Sequence, residues 1–124
     1  METSRTNTLS KAERLCGKKS IEHLLAHGRH GAEGKIRYIY IFRETEEPNR
    51  ILVSVPKKNF KRAVKRNLLK RRIRESWRRQ KLHLKEGKGV DILFIYGTKE
   101  ILTYHEIYSC MENIITKVNG KEIR

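Results

Sequence analysis

One aspartate, two prolines and two cysteines occur in 124 residues, and no long apolar run occurs at all. Each scarcity removes a class of function. Asp91, alone at the start of an apolar stretch, cannot supply the convergent carboxylates that hold two ions in a metal-dependent nuclease. Glu44, Glu46 and Glu47 do cluster, but beside Pro48, where a solvated turn is the simpler reading. Cys16 and Cys110 lie far apart and outside any metal-ligand spacing, so two reduced thiols, at least one partly buried, are expected rather than a disulfide. His23 and His27 stand at i, i+4 with no third ligand in view, and Gly-rich phosphate loops, nucleophile elbows and Cys/His clusters are missing. The sequence thus offers no catalytic residue and no metal site of its own. Without a stretch of about 18 apolar residues, or an apolar stretch after Met1, the expectation is a cytoplasmic protein with no membrane partner.

Acid is also scarce where base is dense. From Lys57 to Lys81 thirteen Lys or Arg residues stand against one acid, Glu75. That segment carries a net +12 (thirteen less one) of the chain's formal +15. Such a cluster repels itself unless an anion neutralises it. The polymer that offers closely spaced anions, with a gain from counterion release, is nucleic acid. Soluble helices usually interleave acids at i, i+4 to stabilise themselves, and this segment forgoes that support.

With 37% hydrophobic residues the chain has material for one modest core. Residues 1–12 are polar and aperiodic and read as a flexible leader. A single domain is expected over 13–118, with 119–124 as a tail. Ser20 can cap a short helix with Ile21, Leu24 and Leu25 as its apolar stripe, ended by Gly28 and followed by Gly31 and Gly34. From Lys35 to Arg43, Ile36, Tyr38, Tyr40 and Phe42 alternate with Arg37, Ile39, Ile41 and Arg43, the period of a strand with a continuous aromatic face. Pro48-Asn49 is a turn signal, and Ile51 to Val55 returns as a strand, which suggests a hairpin. Pro56 ends it, and Asn59 is placed to cap a long basic helix running from about Phe60 beyond His83. Val90 to Tyr96 is almost wholly apolar, as a central strand covered on both faces would be. Thr103 and Glu106 form a capping box for a last helix, with Ile107, Met111, Ile114, Ile115 and Val118 at helical spacing until Asn119-Gly120. The expected order is α, β, β, α, β, α, without internal repeats.

At about 100° per residue, Leu69, Ile73 and Trp77 fall in one arc of the basic helix, the side that docks on a sheet. Arg66, Lys70, Arg74 and Arg78 climb beside it at i, i+4 steps, with Asn67 and Arg71 in the next row. Arginine suits phosphate because its planar fork grips two oxygens and its flat face stacks on bases.

The run Ala63-Val64-Lys65-Arg66-Asn67-Leu68-Leu69-Lys70-Arg71-Arg72-Ile73-Arg74-Glu75, entered through Val53-Ser54-Val55-Pro56-Lys57-Lys58, resembles the arginine-asparagine-arginine motif of the bacterial ribonuclease P protein component. The similarity extends over residues 13–118: Arg14-Leu15 before a short helix ending His27-Gly28, an aromatic strand, a strand feeding the motif, an apolar strand from Asp91, and a last helix. The resemblance implies an α/β (α+β) two-layer sandwich. It further implies a mixed sheet and a left-handed βαβ crossover, as in a domain of a small-subunit ribosomal protein, against the usual right-handed rule. It implies a non-catalytic protein subunit of an endoribonuclease whose partners are the ribonuclease P RNA and precursor tRNA, from which the 5′ leader is removed. The chemistry would belong to the RNA and its Mg²⁺, with no cofactor on the protein and no obligate protein partner. Lys57, Lys58, Arg62, Arg66, Asn67, Lys70, Arg71, Arg74 and Arg78 would contact the catalytic RNA. Arg14, Ile21, Leu25, Arg37, Tyr38 and Tyr40 would line a cleft for the leader, its bases stacking on aromatic rings. Ile21 and Leu25 stand where the family often has Phe, which shifts leader binding toward apolar contact and Arg37. Two other readings compete. A ribosome-associated RNA-binding or assembly protein would also want a basic helix on a small domain. A DNA-binding protein is disfavoured because one basic helix without a dimer seam makes a poor major-groove reader.

Overall fold

The computed structural model describes residue 15 and residues 17–43, 49–80 and 89–123. The elements are α1 (Lys18–His27), β1 (Arg29–Glu33), β2 (Ile36–Arg43), β3 (Arg50–Ser54), α2 (Ala63–Gln80), β4 (Gly89–Tyr96) and α3 (Tyr104–Ile123). The four strands form one mixed sheet in the order β1-β2-β4-β3. As its apolar sequence requires, β4 lies inside. It pairs antiparallel with β2, Tyr38 opposite Phe94 and Tyr40 opposite Ile92, and parallel with β3, Ile51 opposite Ile92. The parallel pair is joined by the crossover through α2.

Period-2 alternation divides the sheet into two faces. One carries Ile36, Tyr38, Tyr40, Ile51, Val53, Val90, Ile92, Phe94 and Tyr96, buried under Leu69, Ile73 and Trp77 of α2 and Ile107, Met111, Ile114, Ile115 and Val118 of α3. Full burial of each large apolar side chain there contributes about 1.5–3 kcal/mol. Trp77 packs on Phe94 with ring centroids 5.9 Å apart, and Phe60 on Tyr96 at 5.8 Å. The opposite face is covered only in part: Leu15 and Leu24 close over Ile39 and Leu93, while Ile21, Ile41, Leu52 and Ile95 remain half-buried around them.

Several local expectations change. Arg29–Glu33 is a strand where glycine-punctuated loop was expected, and β2 makes its hairpin with β1 across Gly34-Lys35, not with β3. Gly34 takes φ 60°, which a tight two-residue turn demands. Gly31 lies opposite Tyr38, and a Cβ there would come within 2.4 Å of the Tyr38 ring, so the glycine makes room for the aromatic. α1 starts at Lys18 with Gly17, φ 99°, as its N-cap and no side-chain cap, so Ser20 is inside the helix. α2 begins at Ala63, not near Phe60, because Phe60 is drawn into the core first; Asn59 lies in a turn closed by its own N–H donating to the Pro56 carbonyl at 3.1 Å. α2 is described to Gln80, and the expected extension past His83 lies outside the described residues. α3 runs to Ile123, through Asn119-Gly120 where a stop was expected, since one glycine in a helix otherwise held by packing costs only about 1 kcal/mol. The Thr103 capping box forms as read: the Glu106 N–H donates to Thr103 Oγ1 at 3.1 Å and the Thr103 N–H to Glu106 Oε1 at 2.8 Å.

Candidate nucleic-acid interface

Packing decides which charges of α2 are available. With Leu69, Ile73, Ser76, Trp77 and Gln80 buried, the opposite side of the helix presents Asn67, Arg71 and Arg74 to solvent, with Lys70 and Arg78 half-buried. Lys57, Lys58 and Arg62, in the approach to the helix, are exposed on the same segment. Val64, 76% exposed, stands among them as an apolar spot in a basic field. Among the described residues no carboxylate pairs with Lys57, Lys58, Arg62, Lys70, Arg71 or Arg74. Self-repulsion is therefore unrelieved along this face, the condition under which an incoming polyanion gains most.

Four arginines of α2 are already engaged. On the wheel Arg66 falls within the inward arc, and its Nη1 donates to the Phe60 carbonyl at 2.7 Å and the Lys61 carbonyl at 2.8 Å, tying the approach loop to the first turn. Arg72 Nη1 donates to the Leu102 carbonyl and so points toward α3. Arg78 donates through Nε to Glu75 Oε1 at 3.1 Å and through Nη2 to Oε2, while Arg79 Nε reaches Oε2 at 3.1 Å. The Arg78 hydrogen bonds, opposed by desolvation and assisted by Arg79, hold the Glu75 carboxyl down to about 2.

The second candidate surface is the open sheet face beside α1. Ile21 is half-buried and Leu25 is 50% exposed on the helix, Arg37 is exposed on β2, and Ile41, Leu52 and Ile95 supply an apolar floor. Tyr38 and Tyr40 are not part of it. They are 5% and 3% exposed, stacked with centroids 6.0 Å apart on the other face, under the helices. The parity of the strand explains the correction: even-numbered residues of β2 face α2 and α3, and odd-numbered ones face α1. The floor residues Ile39 and Ile41 were legible as the alternate set of that same pattern. Burial raises the Tyr40 hydroxyl above its usual pKa, against the opposing charge of Arg29. Arg14 lies outside the described residues; its neighbour Leu15 is buried, its N–H donating to the Ile51 carbonyl at 2.8 Å.

Asp91 is structural. Its buried carboxylate accepts from Arg43 Nε at 2.9 Å and from Arg50 Nε and Nη2 at 2.8 and 2.7 Å, joining β2, β4 and β3 at one end of the sheet. Cys110 is a free, half-buried thiol whose pKa is pushed up by burial; Cys16 lies outside the described residues. The His23 and His27 rings contact at 4.8 Å, and no group of three metal-ligating side chains occurs among the described residues. Among them, too, no helix is long and apolar enough to cross a membrane.

Fold and surface together define a small α/β RNA-binding protein with one dedicated basic helix on a mixed sheet. The profile of the family described as Ribonuclease P matches residues 9–119, and the chain belongs to that family: it is the protein subunit of the ribonucleoprotein endoribonuclease that processes tRNA, and it associates with ribonuclease P RNA. The ribonuclease P protein component of Porphyromonas gingivalis (strain ATCC 33277) is 29% identical over 127 residues, which span 97% of this chain and 93% of that protein. That of Chlorobaculum tepidum is 34% identical over 113 residues, 80% of this chain and 73% of its own length. The Staphylococcus aureus RNase P protein structure is similar at TM-score 0.70 and 25% identity, covering 87% of this chain and 95% of that one. The Thermotoga maritima RNase P protein shares the fold at TM-score 0.73 and 23% identity, over 85% and 96% of the two chains. A ribosome-associated role is not favoured by these relatives.

Proposed function

We propose that the subunit docks on ribonuclease P RNA through the outer face of α2 and the loop before it. Lys57, Lys58, Arg62, Asn67, Lys70, Arg71 and Arg74 are the direct contacts. Arg66 acts mainly by holding the loop in place, and Arg78 contributes against competition from Glu75. The precursor tRNA leader crosses the open sheet face, against Ile21, Leu25, Ile41, Leu52 and Ile95, with Arg37 on its phosphates and Arg14 assigned there on sequence alone. Tyr38 and Tyr40 serve the core. The cut is made by the RNA with its Mg²⁺, the protein binds no cofactor of its own, and the work is done in the cytoplasm on precursor tRNA.

The observation that carries this reading is the row of solvent-facing, unpaired cations on α2, backed by Leu69, Ile73 and Trp77 in the core. Charge reversal at Arg71 and Arg74 together tests it. Both side chains are exposed, so the fold should survive, while affinity for ribonuclease P RNA should fall by at least about 100-fold at moderate salt. Affinity within about twofold of the parent, with an unchanged salt slope, would place the RNA elsewhere.

A further inference from the structure

The basic face of α2 does not end at α2. Arg79, on the edge of the helix facing α3, is the more open of the two guanidiniums on Glu75, 59% exposed and held there by a single 3.1 Å bond. Across the seam the first turns of α3 place Tyr104 and Tyr108 one helical turn apart, both residues half-buried, with ring centroids 6.0 Å from one another. The seam itself is fixed: Arg72 donates to the Leu102 carbonyl, and Gln80 Nε2 donates to the Tyr108 carbonyl at 3.2 Å. The aromatic pair therefore has a set position beside the arginines.

A second, independent observation marks the place. The Tyr104 hydroxyl is buried and has no hydrogen-bond partner among the described groups. Burial raises its pKa, and the charges acting on it are Arg79, Glu75 and Arg78. Both arginines hold the Glu75 carboxylate, two of its three hydrogen bonds falling on Oε2. An orphaned buried hydroxyl normally costs about 1–3 kcal/mol, so a state that relieves it is favoured. An anion that draws Arg79 outward would vacate one position on Glu75 Oε2, and the Tyr104 hydroxyl is the nearby donor without a partner.

We propose that Tyr104, Tyr108 and Arg79 form a further RNA contact, continuous with the α2 interface, that takes one unpaired nucleotide: its base stacks on the Tyr108 ring and its phosphate takes Arg79 from Glu75, which then accepts the Tyr104 hydroxyl. RNA is the occupant because the patch continues a face that meets RNA in the reading above, on which this inference rests. Aromatic rings flanked by guanidinium are also how proteins hold unpaired bases without reading their sequence. A duplex would present no free base to a ring.

The test is binding of ribonuclease P RNA to the full chain with Tyr108→Leu, Tyr108→Trp and Arg79→Gln, each checked by thermal melting. Loss of one stacked base predicts about a tenfold or greater weakening for Tyr108→Leu with little change in salt slope, and retained affinity for Tyr108→Trp. Arg79→Gln should lower the salt slope by about 0.7–0.9. In the complex of the parent, one unpaired nucleotide should photocrosslink to Tyr108. Parent-like affinity for Tyr108→Leu with an unchanged melting temperature would overturn the inference. So would a loss that Tyr108→Trp fails to restore although it melts like the parent, since that is the mark of a packing role. If the parent itself fails to bind the RNA, the fault lies with the reading of α2 and not with this patch.

Discussion

Glu75 is the one residue on the exposed face of α2 whose charge opposes the helix's purpose, and its ion pairs make that opposition measurable. Its folded-state pKa, about 2, lies below the ordinary 4.5, so its contribution to stability is present above about 4.5 and is lost as pH falls toward about 2. Glu75→Gln should therefore flatten the pH dependence of the melting temperature in that window. The same change frees Arg78 and Arg79, which should tighten RNA binding at low salt and steepen its salt slope; a steeper acid loss of stability in the variant would contradict the assignment. Arg66 poses a different question, since one guanidinium nitrogen, Nη1, donates to two carbonyls of the approach loop. Lysine keeps the charge but carries it on a compact, strongly hydrated ammonium that does not place a donor at the same point. Arg66→Lys should cost about 1.5–3 kcal/mol by denaturant unfolding and misplace Lys57, Lys58 and Arg62, so that RNA affinity falls without a loss of charge. Equal stability of parent and variant would mean that Arg66 is free for phosphate after all.

Among the elements, the sheet shows why part of the fold was legible and part was not. β4 announced itself because six of the seven residues from Val90 to Tyr96 are apolar or aromatic and leave no solvent face, and α3 because Thr103 and Glu106 sit at the capping spacing just ahead of its apolar stripe. β1 could not be read, since Arg29-His30-Gly31-Ala32-Glu33 has little intrinsic strand preference; it is a strand because β2 offers a paired edge and Gly31 clears space for Tyr38. The partner of β3 was misjudged for a related reason. Sequence neighbours favour hairpins, but the most apolar strand takes the inside of a sheet, and β4 separates β2 from β3. The surface proposed for the leader was half-legible: Ile21, Leu25 and Arg37 lie on it, while Tyr38 and Tyr40 fall on the opposite parity of β2 and are buried under the helices. Asp91 fastens β2 and β3 to β4, and it is the only carboxylate shown to do so among the described residues. Asp91→Ala, which leaves Arg43 and Arg50 without that partner, should destabilise by about 3–5 kcal/mol, lowering the melting temperature by more than about 10 °C. A shift of a degree or two would show that the remaining pairing holds the strands unaided.

For the whole molecule, the division of labour follows from where charge and apolar surface are placed. Twelve of fifteen net positive charges lie in one segment, and the helix at its centre is anchored by its own Leu69, Ile73 and Trp77, so its cationic face is held against the sheet. A half-open apolar face lies on the other side, beside α1. On the function proposed above, the two faces serve two RNAs, the catalytic RNA and the precursor leader. The most direct measurement is cleavage of precursor tRNA by a bacterial ribonuclease P RNA at low Mg²⁺, with the parent protein and with Arg71→Glu/Arg74→Glu. The parent should strongly stimulate cutting at the mature 5′ end, and the folded double variant should leave the rate close to that of the RNA alone. Equal stimulation by both proteins would contradict the assignment of the α2 face to the catalytic RNA.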